Sequence, residues 1–329
     1  MQSFVDDAVL RFATVEEYLG DRETRFFGEG YKRATYRLSG IESADGEGGP
    51  VVSATAAVGY PADWSRKGTI DQLPHLSTID VLLLGVQLAE IWLARHAGLG
   101  EQARRSAWIR EAHIKAGSSP VEEELTGFAV TAARSRVAEQ AEPGRVVSTL
   151  DCQVGSLRLR VDVDHVAAGP DGSDELGDQD RRPYGDGHKA RLQRLRDVVV
   201  AADRLSATAR VELPATPALP GVGVEGDFQP SVSLVDAFVV ALQLGQVLLY
   251  ELDGVTRADS NTLWMRSTRW QAESPVRPDA GTHPVVVELR DAALLHNRKG
   301  ETWRRADIVS ELGGVTVVCS VAHQLPIED

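Results

Sequence analysis

Asp80 and Gln87 lie seven residues apart inside the apolar run HLSTIDVLLLGVQLAEIWL (75–93), and Asp236 and Gln243 lie seven apart inside SVSLVDAFVVALQLGQVLL (231–249). On a helix, Ser77, Asp80, Leu84 and Gln87 share one stripe, as do Ser233, Asp236, Val240 and Gln243. A carboxylate in that place can take a proton from a hydroxyl, while N–H groups at the helix start stabilise the oxyanion forming on an acyl carbonyl. The same residues fit a second role, because Ser-x-x-Asp is a capping-box pattern worth about 1 kcal/mol to the helix. Capping leaves Gln87 and Gln243 unexplained, since a buried amide without partners costs roughly 1–3 kcal/mol. A sheet backbone, the opposite stripe or a ligand must face them. His75, just ahead of the first helix, adds a second acid/base candidate, and its counterpart is Ser231. The halves therefore differ at a position where chemistry would be kept or lost.

The elements that position these groups come in pairs. Shifted by 156 residues, 75–116 aligns with 231–272 without a gap and with nine identities, among them Trp108 with Trp264 and Arg110 with Arg266. Both Trp-x-Arg pairs read as strand residues on one face, able to stack or to meet an anionic substrate. Ahead of the helices, VVSATAAV (51–58) resembles RLSATARV (204–211), and after them VGSLRLRVDVDH and LGGVTVVCSVAH alternate with period two. That phase turns His165 and His323 inward, as structural histidines at strand ends. A helix apolar on nearly every face needs cover on nearly every face, and a curved antiparallel sheet supplies it. The fold expected is α+β, a tandem hot-dog, each half a curved antiparallel sheet around a central buried helix. Residues 1–166 form the first repeat with an N-terminal extension and 191–329 the second. Between them, 167–190 is an acidic stretch rich in Gly, Asp and Pro, read as a linker or mobile loop. GEG (28–30) and GVGVEG (221–226) lack the strand–turn–helix setting of a phosphate loop.

Composition narrows the function. The net charge of −13 disfavours nucleic acid and anionic lipid as partners. Both apolar runs carry Asp and Gln near their middles and are short for a membrane span. The first twenty residues lack a basic segment followed by an apolar one, and the expected location is the cytoplasm. Cys152 and Cys319 are read as inert core residues, no metal or redox cofactor is called for, and no GxSxG nucleophile elbow is present.

Three stretches, RFFGEGYKR (25–33), GYPADWSRKG (59–68) and LPHLSTID (73–80), together resemble the avirulence protein D (AvrD) family. The resemblance implies synthesis of syringolide-type elicitors, joining a β-ketoacyl thioester to a keto-sugar such as xylulose. A tandem hot-dog protein runs the analogous step of A-factor-type butenolide synthesis, and SLVDAFVVALQ is similar in placement to the acid/base Asp of polyketide dehydratase domains. The implied partners are acyl-CoA or an acyl carrier protein thioester and a small sugar or polyol, with a homodimer possible. Catalysis falls to Asp80, Asp236 and His75. Substrate contacts fall to Gln87, Gln243, Trp64, Ser65, Arg66, Lys67, Arg110, Arg266, Tyr31 and Lys32, with Arg25 and Arg33 completing a basic patch for a phosphopantetheine or sugar phosphate. A dehydratase or thioesterase, and a non-catalytic small-molecule binder, are the alternatives.

Overall fold

The computed structural model describes residues 9–67, 70–116, 125–140, 142–167, 175–215, 221–260, 263–296 and 300–326. The first half contributes β1 (Leu10–Thr14), α1 (Glu16–Leu19), β2 (Thr35–Gly46), β3 (Gly49–Gly59), the short pair β4 (Arg66–Lys67) and β5 (Ile70–Asp71), α2 (Thr78–Ala97) and α3 (Glu101–Arg105). Four strands follow: β6 (Trp108–Lys115), β7 (Phe128–Glu139), β8 (Arg145–Val154) and β9 (Leu157–Val166). The second half holds β10 (Arg194–Val200), β11 (Ser206–Leu213), α4 (Leu234–Asp253), β12 (Trp264–Ala272), β13 (Gly281–His296), β14 (Thr302–Leu312) and β15 (Val315–Gln324).

Both long helices start and stop for the same local reasons. Ser77 and Ser233 accept the N–H of Asp80 and Asp236, whose carboxylates accept the Ser N–H groups in return, and Gly98 and Gly254 close the helices in the left-handed conformation. Thirteen strands form one antiparallel sheet, ordered β1-β10-β11-β13-β14-β15-β12-β6-β9-β8-β7-β3-β2. Outward from the β12–β6 contact, the order is β15, β14, β13, β11, β10 on one side and β9, β8, β7, β3, β2 on the other. A large antiparallel sheet with few helices fits the hot-dog class. Helix α2 packs against β3 and β6 to β9, and α4 against β11 and β13 to β15. Contact is close enough to require glycine: a Cβ on Gly85 would stand 2.3 Å from Leu159 Cδ2, and one on Gly245 2.6 Å from Ile308 Cδ1. By length and composition α4 could cross a membrane, yet 89% of its most apolar stretch is buried inside the fold.

The stretch 167–190 departs from the expected mobile loop. Residues 168–174 lie outside the described residues, but 175–190 carry two short 3₁₀ turns, Gln179–Arg181 and Gly187–Ala190, with Arg182, Tyr184 and His188 buried. Composition misleads here because polar contacts hold this segment without an aliphatic core of its own: Arg182 donates to Gln87, the Tyr184 carbonyl accepts from Gln87, and His188 Nδ1 meets Gly185 O.

Candidate functional site

The two aspartates share a capping role and differ in everything else they touch. Asp80 is fully buried and accepts from Tyr36 Oη at 2.8 Å, from Tyr60 Oη at 2.7 Å and from Ser77 N at 2.7 Å. Tyr36 comes from β2 and Tyr60 from just after β3, and neither brings a charge. Burial raises the Asp80 carboxyl above its usual range, against the opposing pull of these hydrogen bonds. Asp236 meets instead the Arg191 guanidinium at 3.3 Å, Gln193 Nε2 at 2.5 Å and Ser233 Oγ at 2.9 Å.

The buried glutamines find protein partners across the middle of the molecule. Gln87 Nε2 donates to Tyr184 O at 2.9 Å and its Oε1 accepts from Arg182 at 3.3 Å, whereas Gln243 Oε1 accepts from Arg25 at 2.8 Å. Each arginine thus reaches the helix of the opposite half. Both sit in the same motif, Arg-x-(Phe/Tyr)-Gly-(Glu/Asp)-Gly-x-Lys, at 25–32 and 182–189, a shift of 157 residues. Asp21 and Asp178 cap the turns before it at 3.0 and 3.1 Å, and the Gly30 and Gly187 N–H groups return to Arg25 O and Arg182 O at 3.0 and 3.1 Å. Gly28 and Gly185 are required, since a Cβ would lie 2.0 and 2.5 Å from the carbonyls of Arg22 and Gln179. Reading 167–190 as a linker concealed this second copy, although the glycine and arginine spacing was visible.

At the start of α2 a small open cleft of about 70 Å³ lies between the halves. Arg25, Trp64, Ser65, His75 and Ser77 line it from the first half, and Gln246, Arg257, Leu263 and Met265 from the second. The His75 ring stands edge-on to Trp64 at 5.3 Å, and its Nδ1 lies 3.2 Å from Leu73 O. A carbonyl oxygen only accepts, so Nδ1 is the donor in that contact. Asp80 does not line the cleft. It stands one hydrogen bond behind it, through Ser77 and through Tyr60, whose ring leans on Trp64 at 4.6 Å. Burial lowers the Arg25 guanidinium to about 10 and also lowers that of Arg257.

The corresponding place in the other half is filled. At the 156-residue shift Leu263, Met265 and Gln246 match Ala107, Ile109 and Glu90. There Glu225, with no exposed surface, donates its N–H to Ala107 O at 2.8 Å, accepts from Ile109 N at 3.1 Å and pairs with Arg277. Glu90 pairs with Arg104 at 3.2 Å. One copy is open and the other is sealed by residues of the chain itself.

Among the residues expected from sequence, the cleft brings together His75, Trp64, Ser65 and Arg25. Tyr31 and Lys32 lie near Asp236 instead, with Tyr31 Oη 3.3 Å from Gln193 Oε1 and Lys32 Nζ 2.5 Å from Arg191 O. Arg33 pairs with Asp63 at the surface, Arg25 is buried, the Arg66 side chain is exposed, and Lys67 is described only as backbone of β4. The expected basic patch is therefore not one surface, because the 3₁₀ turn Gly30–Arg33 sends its cations in different directions. Arg110 lies over the Trp108 ring at 5.6 Å and 3.6 Å from Asp164, and Arg266 is exposed; neither lines the cleft. His165 and His323 are buried, His165 against Ser148 at 2.8 Å and His323 against Asp253 at 3.4 Å. Sequence reasoning missed Tyr36, Tyr60, Gln246, Arg257 and Glu225. Two of them lay in stretches that stood out, Tyr60 within GYPADWSRKG and Glu225 within GVGVEG.

Residues 10–326 match the family model described as Pseudomonas avirulence D protein (AvrD). No curated protein is significantly similar to the chain in sequence. Among solved structures, the TesB protein of Mycobacterium avium subspecies paratuberculosis is 7% identical with a TM-score of 0.41, over 87% of this chain and 96% of that one. The dehydratase domain of RzxB from Pseudomonas fluorescens is 13% identical with a TM-score of 0.34, over 86% and 96%. A protein with a hot dog fold from Alicyclobacillus acidocaldarius is 8% identical with a TM-score of 0.37, over 88% and 97%.

Proposed function

This chain belongs to the avirulence protein D (AvrD) family, and we propose that it transfers or condenses a β-ketoacyl thioester onto a small sugar or polyol in the cleft at the start of α2. One observation carries the reading: His75, its Nδ1 turned to Leu73 O, lines an open cleft at a helix N-terminus between the two halves. In the reaction, Nε2 takes the proton of the acceptor hydroxyl as its oxygen adds to the thioester carbon. The C–S bond then breaks, and the imidazolium returns the proton to the departing thiolate. Asp80 acts from behind, holding Tyr60 and Ser77 in place. The matching strand orders and helices support a tandem hot-dog built by duplication, each half wrapping a sheet around its helix and only the first keeping an open cleft. The enzyme is expected to work in the cytoplasm on a coenzyme A or acyl carrier protein thioester.

The test is incubation with β-ketoacyl thioesters of several lengths, with and without sugars such as xylulose, followed by thiol release and product mass. An acylated sugar is expected, lost in His75→Gln. Thiol release at the same rate without a sugar would make the protein a thioesterase, with water in place of the hydroxyl. Retention of unreacted thioester would make it a binding protein.

A further inference from the structure

The sealed copy shows what the edge of such a cleft is built to hold. Ile109 sits at a break in register between Ile109 and Glu111 of β6, and the pairing of β6 with β12 starts only at Glu111. Its N–H is therefore available beyond the end of that pairing, and it goes to the Glu225 carboxylate at 3.1 Å. β12 repeats the feature 156 residues later, with a register break between Met265 and Ser267 and pairing to β6 starting at Ser267. Met265 lines the open cleft. The negative oxygen in the sealed copy also has a cation, Arg277. In the open cleft Arg257 offers one: its Nη2 is committed to Arg66 O at 2.6 Å and Thr24 O at 3.4 Å, while Nη1 and Nε have no partner among the described residues.

We propose that the open cleft is an oxyanion receptor, in which the Met265 backbone N–H and the Arg257 guanidinium receive the negative oxygen that develops on the substrate's acyl carbon, as Ile109 N–H and Arg277 receive Glu225. The identity of the substrate rests on the acyl-transfer reading above; the sign of the charge received does not. As the acceptor oxygen adds, the carbonyl π pair moves onto the carbonyl oxygen and is held there. The pair returns when the carbon–sulfur bond breaks and the thiolate leaves.

Octanoate, a stable carboxylate, probes the receptor by calorimetric titration of the full chain. The wild type should bind one equivalent, and Arg257→Gln should weaken binding at least about tenfold, the scale of a lost charged hydrogen bond, in protein that circular dichroism shows to be folded at the assay temperature. Turnover in Arg257→Gln should fall in kcat more than KM rises. A second arm uses the sealed copy: Glu225→Ala should melt lower and regain stability in acetate but not in ethanol, while Glu225→Gln keeps the shape and ignores both. Octanoate binding equal in wild type and Arg257→Gln would overturn the proposal, as would Glu225→Ala that folds yet ignores acetate. If Glu225→Ala fails to fold, the Arg257 arm decides alone. Arg257-dependent octanoate binding without turnover of any thioester would keep the receptor and sink the acyl-transfer reading, and thioester turnover indifferent to Arg257→Gln would do the reverse.

Discussion

Replacing each helix-capping aspartate by asparagine separates two environments that the sequence made look alike. Asn keeps one acceptor for the Ser N–H, so capping is largely retained in both variants. At Asp80 the remaining partners are the Tyr36 and Tyr60 hydroxyls, which can rotate to accept from the new amide. Asp80→Asn should therefore cost only about 1 kcal/mol. At Asp236 the partners include the buried Arg191 guanidinium at 3.3 Å, and Gln193 Nε2, which can only donate. Breaking a buried ion pair typically costs about 3–5 kcal/mol, and the long contact argues for the lower end. Urea unfolding followed by tryptophan fluorescence should then place Asp236→Asn about 2 kcal/mol below Asp80→Asn. The pH dependence distinguishes them further. Asp80 has its folded-state pKa raised, so the folded protein holds a proton that the unfolded chain has released. Its contribution is present at low pH and is lost as pH rises from the ordinary carboxylate value through the raised one. Asp80→Asn should remove that component of the slope. In the acyl-transfer assay the same variant should lose at least about tenfold in kcat, the scale of a displaced acid/base partner, with little change in KM. Equal stability losses at the two positions, or an unchanged pH slope in Asp80→Asn, would refute this assignment.

Gly85→Ala, which drives a Cβ to 2.3 Å from one Leu159 methyl, should cost about 1–3 kcal/mol in urea unfolding. Gly245→Ala meets three Ile308 atoms between 2.6 and 3.0 Å and should cost more; a smaller loss than Gly85→Ala would contradict the packing described. Cys152 and Cys319 are buried with their thiols raised, Cys319 to about 12, so neither should react with a thiol reagent at neutral pH until the protein unfolds. Burial lowers His188 to about 4, so the unfolded chain takes up a proton near the ordinary histidine value that the folded protein refuses. Stability should fall as pH drops through that window, by up to about 3 kcal/mol from this group, and His188→Phe should flatten the decline.

The central helices were legible because their causes are local: an apolar run, a Ser-x-x-Asp start and a glycine stop all lie within each segment. The sheet followed from period-two strands such as 157–166 and 315–324. The spacing of the second arginine motif was visible, but its order was not, because that depends on Gln87, far away in sequence and met only through Arg182 and the Tyr184 carbonyl. Gln246, Arg257 and Met265 were hidden for the same reason. Each joins His75 only after the halves close on one another, and no periodicity marks a residue whose partner lies in the other half. His75 could be picked out because it breaks the repeat, standing where the other half has Ser231.

The exchange of arginines also bears on whether the halves could work apart. Arg25 is held by Glu16 of α1 and ends on Gln243, and Arg182 in the second copy of the motif ends on Gln87. Removing either half would leave a buried amide in the other without its arginine, at roughly 1–3 kcal/mol, and would bare the edge of β6 or β12 to other chains. Both halves keep this scaffold, including the cap, the glutamine, the arginine and the register break. What differs is the segment that enters at the strand edge, where Glu225 fills one copy and a cleft bearing His75 remains in the other. On the proposed acyl-transfer reading, exchanging those segments should matter more to activity than exchanging the helices that carry the conspicuous aspartates.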